Sequence, residues 1–308
     1  MKKKVLITGA MGFIGTNLTK YYRENDFEVY GWDVFDCLDS SFEYFKVDMT
    51  CCEDIEQSLK TINPDYIIHC AGSANVSNSF IHPHNDFYSN VISLHNLLFS
   101  LQKLKMNKVK FVFLSSAAVY GNPKNRPINE DSELNPLSPY ALHKVICEQM
   151  CEFFIRRYDF NIKIARIFSA YGVGLKKQIF WDMHTKLLNT KKLEMFGTGN
   201  ESRDFIEIRD LVNAIFLISQ TDSSHIVFNV ANGIEISINY VAELFARNNG
   251  YNVGIIEFNG INRQGDPLNW VSDISRLSSI GYAPSISIDE GVADYCLWAK
   301  GMDVSDAK

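Results

Sequence analysis

Three glycines, spaced three residues apart, follow the first apolar run of the chain. The run is Val5–Ile7, and the glycines are Gly9, Gly12 and Gly15. A glycine loop between a strand and a helix lets the backbone approach a pyrophosphate, and the N-terminus of the helix supplies N–H donors to the phosphates. A tight turn without a ligand is the alternative. The placement after the first strand favours a dinucleotide-binding loop and a fold that begins strand, loop, helix.

Short apolar runs alternate with longer helical stretches through the first half of the chain. Six runs predict strands, at Val5–Ile7, Glu28–Tyr30, Tyr44–Val47, Tyr66–His69, Phe111–Ser115 and Lys163–Ile167. Five segments predict helices, at Phe13–Glu24, Cys51–Lys60, Asn85–Lys105, Tyr140–Tyr158 and Lys176–Thr190. Strands that are apolar on both faces and alternate with helices are typical of a covered parallel sheet. The predicted fold class is therefore α/β, a Rossmann-type doubly wound parallel sheet.

The alternation changes after about Tyr171. A long helix is followed there by a Gly-rich turn at Phe196–Asn200 and by irregular alternation to the end of the chain. We therefore expect residues 1–172 to form the dinucleotide-binding domain, with returning segments near 205–232. Residues 173–204 and 233–308 are expected to form a smaller mixed α/β substrate domain at the C-terminal end.

Composition excludes several classes of function. The 308 residues carry a formal net charge of -6, and an acidic surface disfavours binding to nucleic acid. No apolar run approaches the ~20 residues of a transmembrane helix, and glycines interrupt the apolar start, so a signal peptide is not expected. The seven cysteines are an odd number without a CxxC pair. We expect them to be reduced thiols of a cytoplasmic protein, with no disulfide framework and no metal site.

Two acidic residues end predicted strands where a dinucleotide would pass. Asp33 follows the second strand, about 20 residues beyond the glycines, where a carboxylate can accept hydrogen bonds from the adenosine ribose. No arginine follows within several residues to hold a 2′-phosphate, so NAD is favoured over NADP. Asp48 ends the third strand, where adenine would lie. A solvated loop aspartate is the alternative at both positions.

A serine pair and a tyrosine–lysine pair supply candidate chemistry. The fifth strand ends at Ser115 and Ser116, and a predicted helix carries Tyr140 and Lys144. Residues four apart lie on one face of a helix, and a neighbouring ammonium stabilises a phenolate. An exposed helix face is the alternative for an isolated pair. Together with the glycine loop, the pair predicts a tyrosine general acid and base.

Taken together, these residues resemble the extended short-chain dehydrogenase/reductase family, specifically its nucleotide-sugar epimerases of the UDP-glucose/galactose 4-epimerase type. The similarity extends from Val5 to Trp298. It is carried by Gly9-x-x-Gly12-Phe-Ile-Gly15, His69-Cys-Ala-Gly72, Asn90, Ser115-Ser116, Val119-Tyr-Gly121, Tyr140-x-x-x-Lys144, Arg166-Ile-Phe-Ser-Ala-Tyr-Gly172, Phe196-Gly-Thr-Gly199, Arg203-Asp-Phe205 and Arg263-Gln-Gly-Asp266.

The resemblance implies roles for individual residues. Ser116 would hydrogen-bond the reacting sugar oxygen, Tyr140 would be the acid and base, and Lys144 the tuning cation and ribose anchor. The implied cofactor-binding residues are Gly9, Gly12, Phe13, Ile14, Gly15, Asp33, Asp48, Met49, Cys70, Ala71, Gly72, Asn90, Ser115, Tyr140, Lys144 and Phe168. The implied substrate-binding residues are Ser116, Ser169, Gln178, Arg203, Arg263, Asp266 and Trp270. Arg203 and Arg263 would clamp the diphosphate, because guanidinium forks bind phosphate oxygens in pairs.

The chain also departs from the family pattern. Ala117 and Ala118 stand where the dehydratases carry an Asp–Glu pair, which disfavours elimination of water, and the decarboxylases also need an acid at Ala118. Ser169 replaces a usual asparagine, and Ala74 stands where galactose epimerases often have lysine. Both changes weaken an expected polar contact.

The resulting expectation is an NAD-dependent epimerase that acts on a nucleotide-diphosphate sugar at C4, through a transient 4-keto sugar. The alternatives are a CDP- or UDP-sugar 2-epimerase, a reductase of 4-keto-6-deoxy sugar nucleotides, and a catalytically silent NAD-binding regulator. The resemblance implies a homodimer formed through the helices near Asn85–Lys105 and Tyr140–Tyr158. It also places Trp270 at the wall of the sugar pocket, where a bulky side chain would reject N-acetyl sugars. Packing within the small domain is the alternative for Trp270.

Overall fold

Twelve strands and eleven α-helices are described in a computed structural model of the chain, which covers residues 2–37, 41–261, 265 and 267–302. The strands are β1 (Lys4–Thr8), β2 (Glu28–Asp33), β3 (Glu43–Lys46), β4 (Tyr66–His69), β5 (Lys110–Ser116), β6 (Asn161–Ile167), β7 (Ser169–Tyr171), β8 (Leu193–Met195), β9 (Ser202–Glu207), β10 (Val227–Val230), β11 (Glu235–Ser237) and β12 (Ile256–Phe258). The helices are α1 (Phe13–Glu24), α2 (Cys52–Ile62), α3 (Val76–Ile81), α4 (Pro83–Phe87), α5 (Ser93–Lys103), α6 (Pro139–Tyr158), α7 (Gln178–Thr190), α8 (Ile208–Gln220), α9 (Ile238–Asn248), α10 (Ser275–Ser278) and α11 (Ile288–Ala299).

Seven of the strands form one parallel sheet, as the alternation of strands and helices predicts. Their order is β10-β6-β5-β4-β1-β2-β3, and every neighbouring pair is parallel. The strand order reverses between β1 and β4. In doubly wound sheets, ligands bind in the crevice at the carboxyl ends of the strands beside such a reversal. The strand order alone therefore predicts a functional site at the carboxyl ends of β1 and β4.

Both faces of this sheet are buried under helices. Alternate residues of a strand point to opposite faces, so Leu6 joins one apolar cluster while Val5 and Ile7 join the other. The first cluster packs against α2, α5 and α6, and the second packs against α1 and α8. Burial on both faces explains why the strands read as continuous apolar runs rather than alternating ones.

Two predicted helices differ from the structure. The segment predicted as one helix over Asn85–Lys105 is divided into α4, a π-helical turn at Tyr88–Ile92, and α5. Side chains in this turn donate to backbone carbonyls, as Asn90 Nδ2 does to the Asp86 carbonyl at 3.0 Å. Such bonds compete with the regular backbone hydrogen bonds of an α-helix. The helix predicted from Lys176 begins at Gln178, because Lys177 is extended.

The other five strands lie outside the large sheet. Strands β11, β9 and β7 form a three-stranded sheet, and β12 pairs with β8. Helices α7, α9 and α11 bury a separate apolar cluster that includes Phe180, Phe245 and Tyr295. Strand β10, in the segment expected to return near 205–232, pairs with β6 at the edge of the large sheet. The domain limits proposed from the sequence stay predictions. Across the described ranges, no helix is long and apolar enough to cross a membrane.

Candidate active site

One cavity of about 680 Å³ lies at the carboxyl ends of β4, β5 and β6. It is bounded by the first turns of α6 and α7, by the start of β9, and by a segment around residue 268. Twelve residues singled out by sequence line it together: Ile14, Cys70, Gly72, Ser115, Ser116, Tyr140, Lys144, Phe168, Ser169, Gln178, Arg203 and Trp270. The fold thus brings residues more than 250 positions apart into one space.

The glycine loop leaves no room for side chains where it meets its neighbours. Gly9 has a φ of +68°, and a Cβ there would lie 2.8 Å from the Ala71 nitrogen. A Cβ on Gly15 would lie 2.0 Å from the Gly9 carbonyl oxygen. The loop can therefore form only with glycine at these two positions. It brings the first turn of α1 to the edge of the sheet at the reversal point, the geometry that suits a pyrophosphate.

The carboxylate of Asp33 lies against the glycine loop. Its Oδ2 accepts a hydrogen bond from the Met11 amide at 3.0 Å, and its Oδ1 accepts one from the Val34 amide at 2.8 Å. A carboxylate fixed in this way at the end of β2 suits a ribose diol. Asp48 is held locally, since its Oδ1 accepts from the Thr50 amide at 2.9 Å just before α2; its contact with adenine stays a prediction.

An orphaned acceptor lies beside the loop that follows β4. Gly72, with a φ of +138°, would place a Cβ only 2.5 Å from Asn90 Oδ1. That oxygen is buried and has no hydrogen-bond partner in the described chain. A buried acceptor without a donor is costly, so a bound group that supplies one would stabilise this corner. The glycine cradle, Asp33 and this acceptor together fit NAD.

Tyr140 and Lys144 project from the start of α6, and both are buried. Ser138 caps the helix by accepting from the Ala141 amide at 3.1 Å, and Pro139 occupies its first turn. Lys144 Nζ donates to the Leu114 carbonyl at 3.0 Å and lies 5.9 Å from the centroid of the Tyr140 ring. The ammonium is therefore held by β5 beside the phenol, as the four-residue spacing predicts.

Ser116 completes the polar group at the end of β5. Its Oγ accepts from the Ala118 amide at 3.2 Å and so caps the short helical turn that follows. Ala118 lines the same cavity. A methyl group thus faces the space where an acid would be needed for elimination or decarboxylation.

A buried polar network that sequence reasoning missed supports this end of the sheet. Ser115 Oγ donates to Glu148 Oε1 at 2.5 Å, and Arg166 Nη2 donates to Glu148 Oε2 at 2.7 Å. Arg166 Nη1 also donates to the Tyr120 hydroxyl at 2.8 Å, and that hydroxyl donates to Asn229 Oδ1 at 2.7 Å. The spacing of Glu148, one turn after Lys144 on the same helix, is the signal that could have identified it.

His69 ends β4 in its neutral form. Burial, and to a smaller extent the neighbouring Lys144 ammonium, lower its pKa to about 3. The Nδ1 lies 2.8 Å from Thr8 Oγ1, which also accepts from the Ala71 amide at 3.1 Å. His69 therefore stiffens the strand end beneath the expected cofactor position.

Trp270 and Arg203 form the opposite side of the cavity. Trp270 is buried, its Nε1 donates to the Gly121 carbonyl at 3.0 Å, and its ring meets the Phe168 ring edge-on at 5.7 Å. The Arg203 guanidinium lies 5.9 Å from the Trp270 ring centroid, and its Nη1 donates to the Ser202 carbonyl at 2.8 Å. Arg263 and Asp266 lie outside the described residues.

Other predicted cofactor residues do not line the cavity; they are Gly9, Gly12, Phe13, Gly15, Asp33, Asp48, Met49, Ala71 and Asn90. Several lining residues were not singled out by sequence, among them Ser73, Asn75, Ser77, Ser138 and Lys177. Single serine, asparagine and lysine residues have no distinctive spacing, which explains why the sequence did not reveal them. Within the described ranges, no group of three His, Cys, Asp or Glu side chains could hold a metal ion.

Comparisons with known proteins agree with this geometry. The model of the NAD dependent epimerase/dehydratase family matches residues 5–231. A putative UDP-glucose 4-epimerase of Methanocaldococcus jannaschii is 28% identical, over 96% of this chain and 98% of the relative. The crystal structure of a UDP-glucose 4-epimerase from Thermotoga maritima with UDP-glucose has a TM-score of 0.89 at 26% identity, and covers 97% of this chain and 99% of that one. A UDP-glucuronic acid 4-epimerase from Bacillus cereus, in complex with UDP-glucuronic acid and NAD, has a TM-score of 0.88 at 26% identity with the same coverage.

Proposed function

Because this chain belongs to the NAD dependent epimerase/dehydratase family, we propose that it inverts the C4 hydroxyl of a UDP-hexose, with UDP-glucose and UDP-galactose as the interconverting pair. The observation that carries the proposal is the cavity that joins Ser116, Tyr140 and Lys144 to the cofactor side of the sheet. The relatives named above support a uridine nucleotide and reaction at C4.

NAD is the cofactor of this family, and when bound it supplies the acceptor and donor of the C4 hydrogen. Residues of this chain would hold it at three places. The glycine loop would hold the pyrophosphate, Asp33 the adenosine ribose, and Lys144 the nicotinamide ribose. The glycine loop, Asp33 and Lys144 all lie near the carboxyl ends of the strands, which supports the three assignments.

Tyr140 would remove the proton of the sugar C4 hydroxyl. It would return a proton to the same oxygen after the 4-keto sugar has rotated in the cavity to present its opposite face. Ser116 would hydrogen-bond the same oxygen and keep it within reach of the phenol. The Lys144 ammonium beside the Tyr140 ring would stabilise the phenolate. The three groups together move one proton at one oxygen, and a redox-neutral inversion needs no other acid or base.

Dehydration and decarboxylation are disfavoured at this site, although relatives of this chain include a dTDP-D-glucose 4,6-dehydratase and a UDP-glucuronic acid decarboxylase. Both reactions need a further carboxylic acid beside the reacting sugar. Ala118 lines the cavity at that position, and Ala117 is buried. The methyl groups cannot transfer protons.

The substrate side of the cavity would be formed by residues 173–204 and 233–308, as the sequence predicts. Arg203, together with Arg263, would contact the diphosphate, while Ser169, Gln178, Asp266 and Trp270 would contact the rest of the nucleotide sugar. Lys177 joins Arg203 in the lining and adds a second positive charge. A dianionic diphosphate would be stabilised by this pair of cations.

A homodimer in the cytoplasm is the state that we propose for the protein. Helices α5 and α6 carry large apolar side chains that are 40–48% exposed, at Phe99, Leu142 and Phe153. A second copy that covers this face would remove them from water. All seven cysteines are free, which is compatible with a reducing compartment.

The direct test is to incubate the purified protein with UDP-glucose, and separately with UDP-galactose, and to follow the anomeric and H4 signals by NMR. We expect the same equilibrium mixture from either side without added cofactor, because an epimerase gains by retaining NAD through each cycle. NAD(H) should be released from the fresh protein by acid. GDP-, CDP- and dTDP-sugars, tested in parallel, measure the nucleotide preference.

The alternatives give different results in this assay. A 2-epimerase would change the H2 signal and leave the configuration at C4 intact. A 4-keto sugar reductase would contain little bound cofactor and would need stoichiometric NADPH. Either result would contradict C4 epimerisation, and a protein that binds NAD without converting any sugar nucleotide would indicate the regulator.

A further inference from the structure

The helix that carries Tyr140 and Lys144 has a second polar contact, on a side that faces away from the cavity. His143 lies between the two residues on α6, and its Nδ1 is 2.6 Å from Asp86 Oδ2 on α4. Both side chains are buried, with 9% and 2% of their side-chain surface exposed. Neither residue lines the cavity, so the pair does not belong to the machinery described above.

His143 is the side-chain hydrogen-bond partner of the buried Asp86 carboxylate. Its Oδ1 is buried and has no hydrogen-bond partner among the described residues. The Phe87 ring meets the His143 ring edge-on at 5.3 Å and closes the contact from one side. A buried carboxylate is costly unless it is paired, so the arrangement is stable only while α6 holds His143 at hydrogen-bond distance from Asp86.

Helices α3 and α4 also bond to the first turn of α6 and to the Asn90 side chain. Ser79 Oγ, on α3, accepts from the Tyr140 amide at 3.2 Å. The Asp86 carbonyl accepts from Asn90 Nδ2 at 3.0 Å. Asp86 therefore connects a predicted cofactor residue to the catalytic helix, and Ser79 anchors the backbone of the tyrosine itself.

We infer that Asp86, through its hydrogen bond to His143, is a positioning residue that sets the rotation and depth of α6 and hence the places of Tyr140 and Lys144 in the cavity. The inference rests on the proposed function, since it concerns the residues that perform the reaction. His143 is not assigned a proton transfer. Its hydrogen bond is to Asp86 and its ring contact is with Phe87, away from the phenol. A displacement of a catalytic group by ~1 Å can cost about 100-fold in rate, so a contact of this kind can act on turnover from outside the cavity.

The test compares four variants with the wild type, in UDP-hexose interconversion, in NAD content and in thermal melting. His143→Leu removes the donor and leaves the carboxylate unpaired. His143→Asn keeps an amide donor near the position of Nδ1. The pair His143→Leu with Asp86→Leu removes the buried charge and fills the space with apolar atoms. Ser219→Ala is the matched control, because it removes the acceptor of a buried hydrogen bond from the Tyr22 hydroxyl on the other face of the sheet, 2.7 Å long.

A positioning role predicts that His143→Leu lowers kcat by about 10- to 100-fold while KM stays within about two-fold and NAD remains bound. His143→Asn should recover most of kcat. The double variant should recover thermal stability but not kcat, because apolar contact does not restore a directional bond. Ser219→Ala should lower the melting temperature and leave kcat unchanged.

Two results would overturn the inference. One is an unchanged kcat in folded, NAD-containing His143→Leu; the other is a double variant in which kcat recovers together with stability, which would indicate a structural role only. His143→Asn keeps a donor near the position of Nδ1 without introducing a larger side chain, so it keeps the test valid if His143→Leu does not fold. A wild type that converts no UDP-hexose would instead contradict the proposed function, and the inference with it, before any variant is compared.

Discussion

The two sides of the cavity are built in different ways. We call the two sides the catalytic wall and the substrate wall, after the roles proposed for their residues. The catalytic wall, formed by the end of β5 and the first turns of α6, is buried, and its polar side chains bond to other buried groups, as Lys144 does to Leu114 and Ser115 to Glu148. The substrate wall, formed by the start of β9 and residues 267–270, is more exposed. Arg203 is half-buried there and Leu268 is 46% exposed.

The difference in burial between the two walls agrees with the different geometric precision that proton transfer and sugar binding require. Proton transfer needs heavy atoms within hydrogen-bond distance, and a network of buried charge-assisted bonds holds them there. Recognition of a sugar tolerates more variation, because each contact contributes only part of the binding free energy. Trp270 is the exception on the substrate wall, since its bond to Gly121 and its contact with Phe168 hold it as firmly as a catalytic residue.

The largest effect is expected on the catalytic wall, at Tyr140. Tyr140→Phe keeps the ring and removes the proton-transferring hydroxyl, so kcat should fall by at least ~100-fold. NAD content should be unchanged after acid release. Tyr21→Phe, which removes a hydroxyl of α1 that is bonded to Asn213 of α8 at 3.0 Å, should keep full activity. Near-normal turnover in Tyr140→Phe would contradict the assignment.

The next effect concerns the network that holds the catalytic wall. Arg166→Met leaves the Glu148 carboxylate buried with Ser115 as its remaining donor, which should lower the free energy of unfolding by about 3–5 kcal/mol in urea titrations. Arg247→Met breaks an exposed pair with Glu243 of similar length, 2.8 Å, and should cost under about 0.5 kcal/mol. Equal losses in the two variants would show that burial of the network is unimportant.

A smaller effect is expected on the substrate wall, at Trp270. An N-acetyl group should collide with the fixed indole, at a cost of about 1–3 kcal/mol, which corresponds to roughly 5- to 150-fold in specificity. Trp270→Ser or Trp270→Cys should raise kcat/KM for UDP-N-acetylglucosamine relative to UDP-glucose, while Trp270→Phe should preserve most of the discrimination. A wild type that converts both substrates equally well would exclude Trp270 as the determinant.

The smallest effect is a pH dependence of stability from His69. Its pKa is about 3 in the folded chain and about 6.5 in the unfolded chain, so between these values only the unfolded state binds the proton. Stability should therefore fall as the pH decreases through this window, by about 2 kcal/mol between pH 6.5 and 5. His69→Asn should show a flatter dependence in urea titrations at the two pH values. A slope identical to that of the wild type would show that His69 is not the group responsible.

Much of the fold follows from patterns that are local in sequence. The apolar runs of β4 and α1 have the predicted bounds, because strands buried on both faces and a helix that begins after a glycine loop are decided by their own residues. The parallel sheet follows from the alternation of strands and helices, although its seventh strand, β10, is not among the six predicted strands. The π-helical turn at Tyr88–Ile92 did not follow, since it depends on bonds from Asn90 and its neighbours to carbonyls that any helix would offer.

The sequence by itself determined which groups are available for chemistry. The glycines of the loop directly follow the first strand, and a four-residue spacing puts Tyr140 and Lys144 on one face of a helix. Only the tertiary structure decided what supports them. Glu148 meets Ser115 and Arg166, and His143 meets Asp86, across distances of 18 to 57 residues along the chain. A buried charge has no preferred partner in sequence. Its partner is whichever group the packing of strands and helices brings within hydrogen-bond distance, since burial without one is too costly to persist.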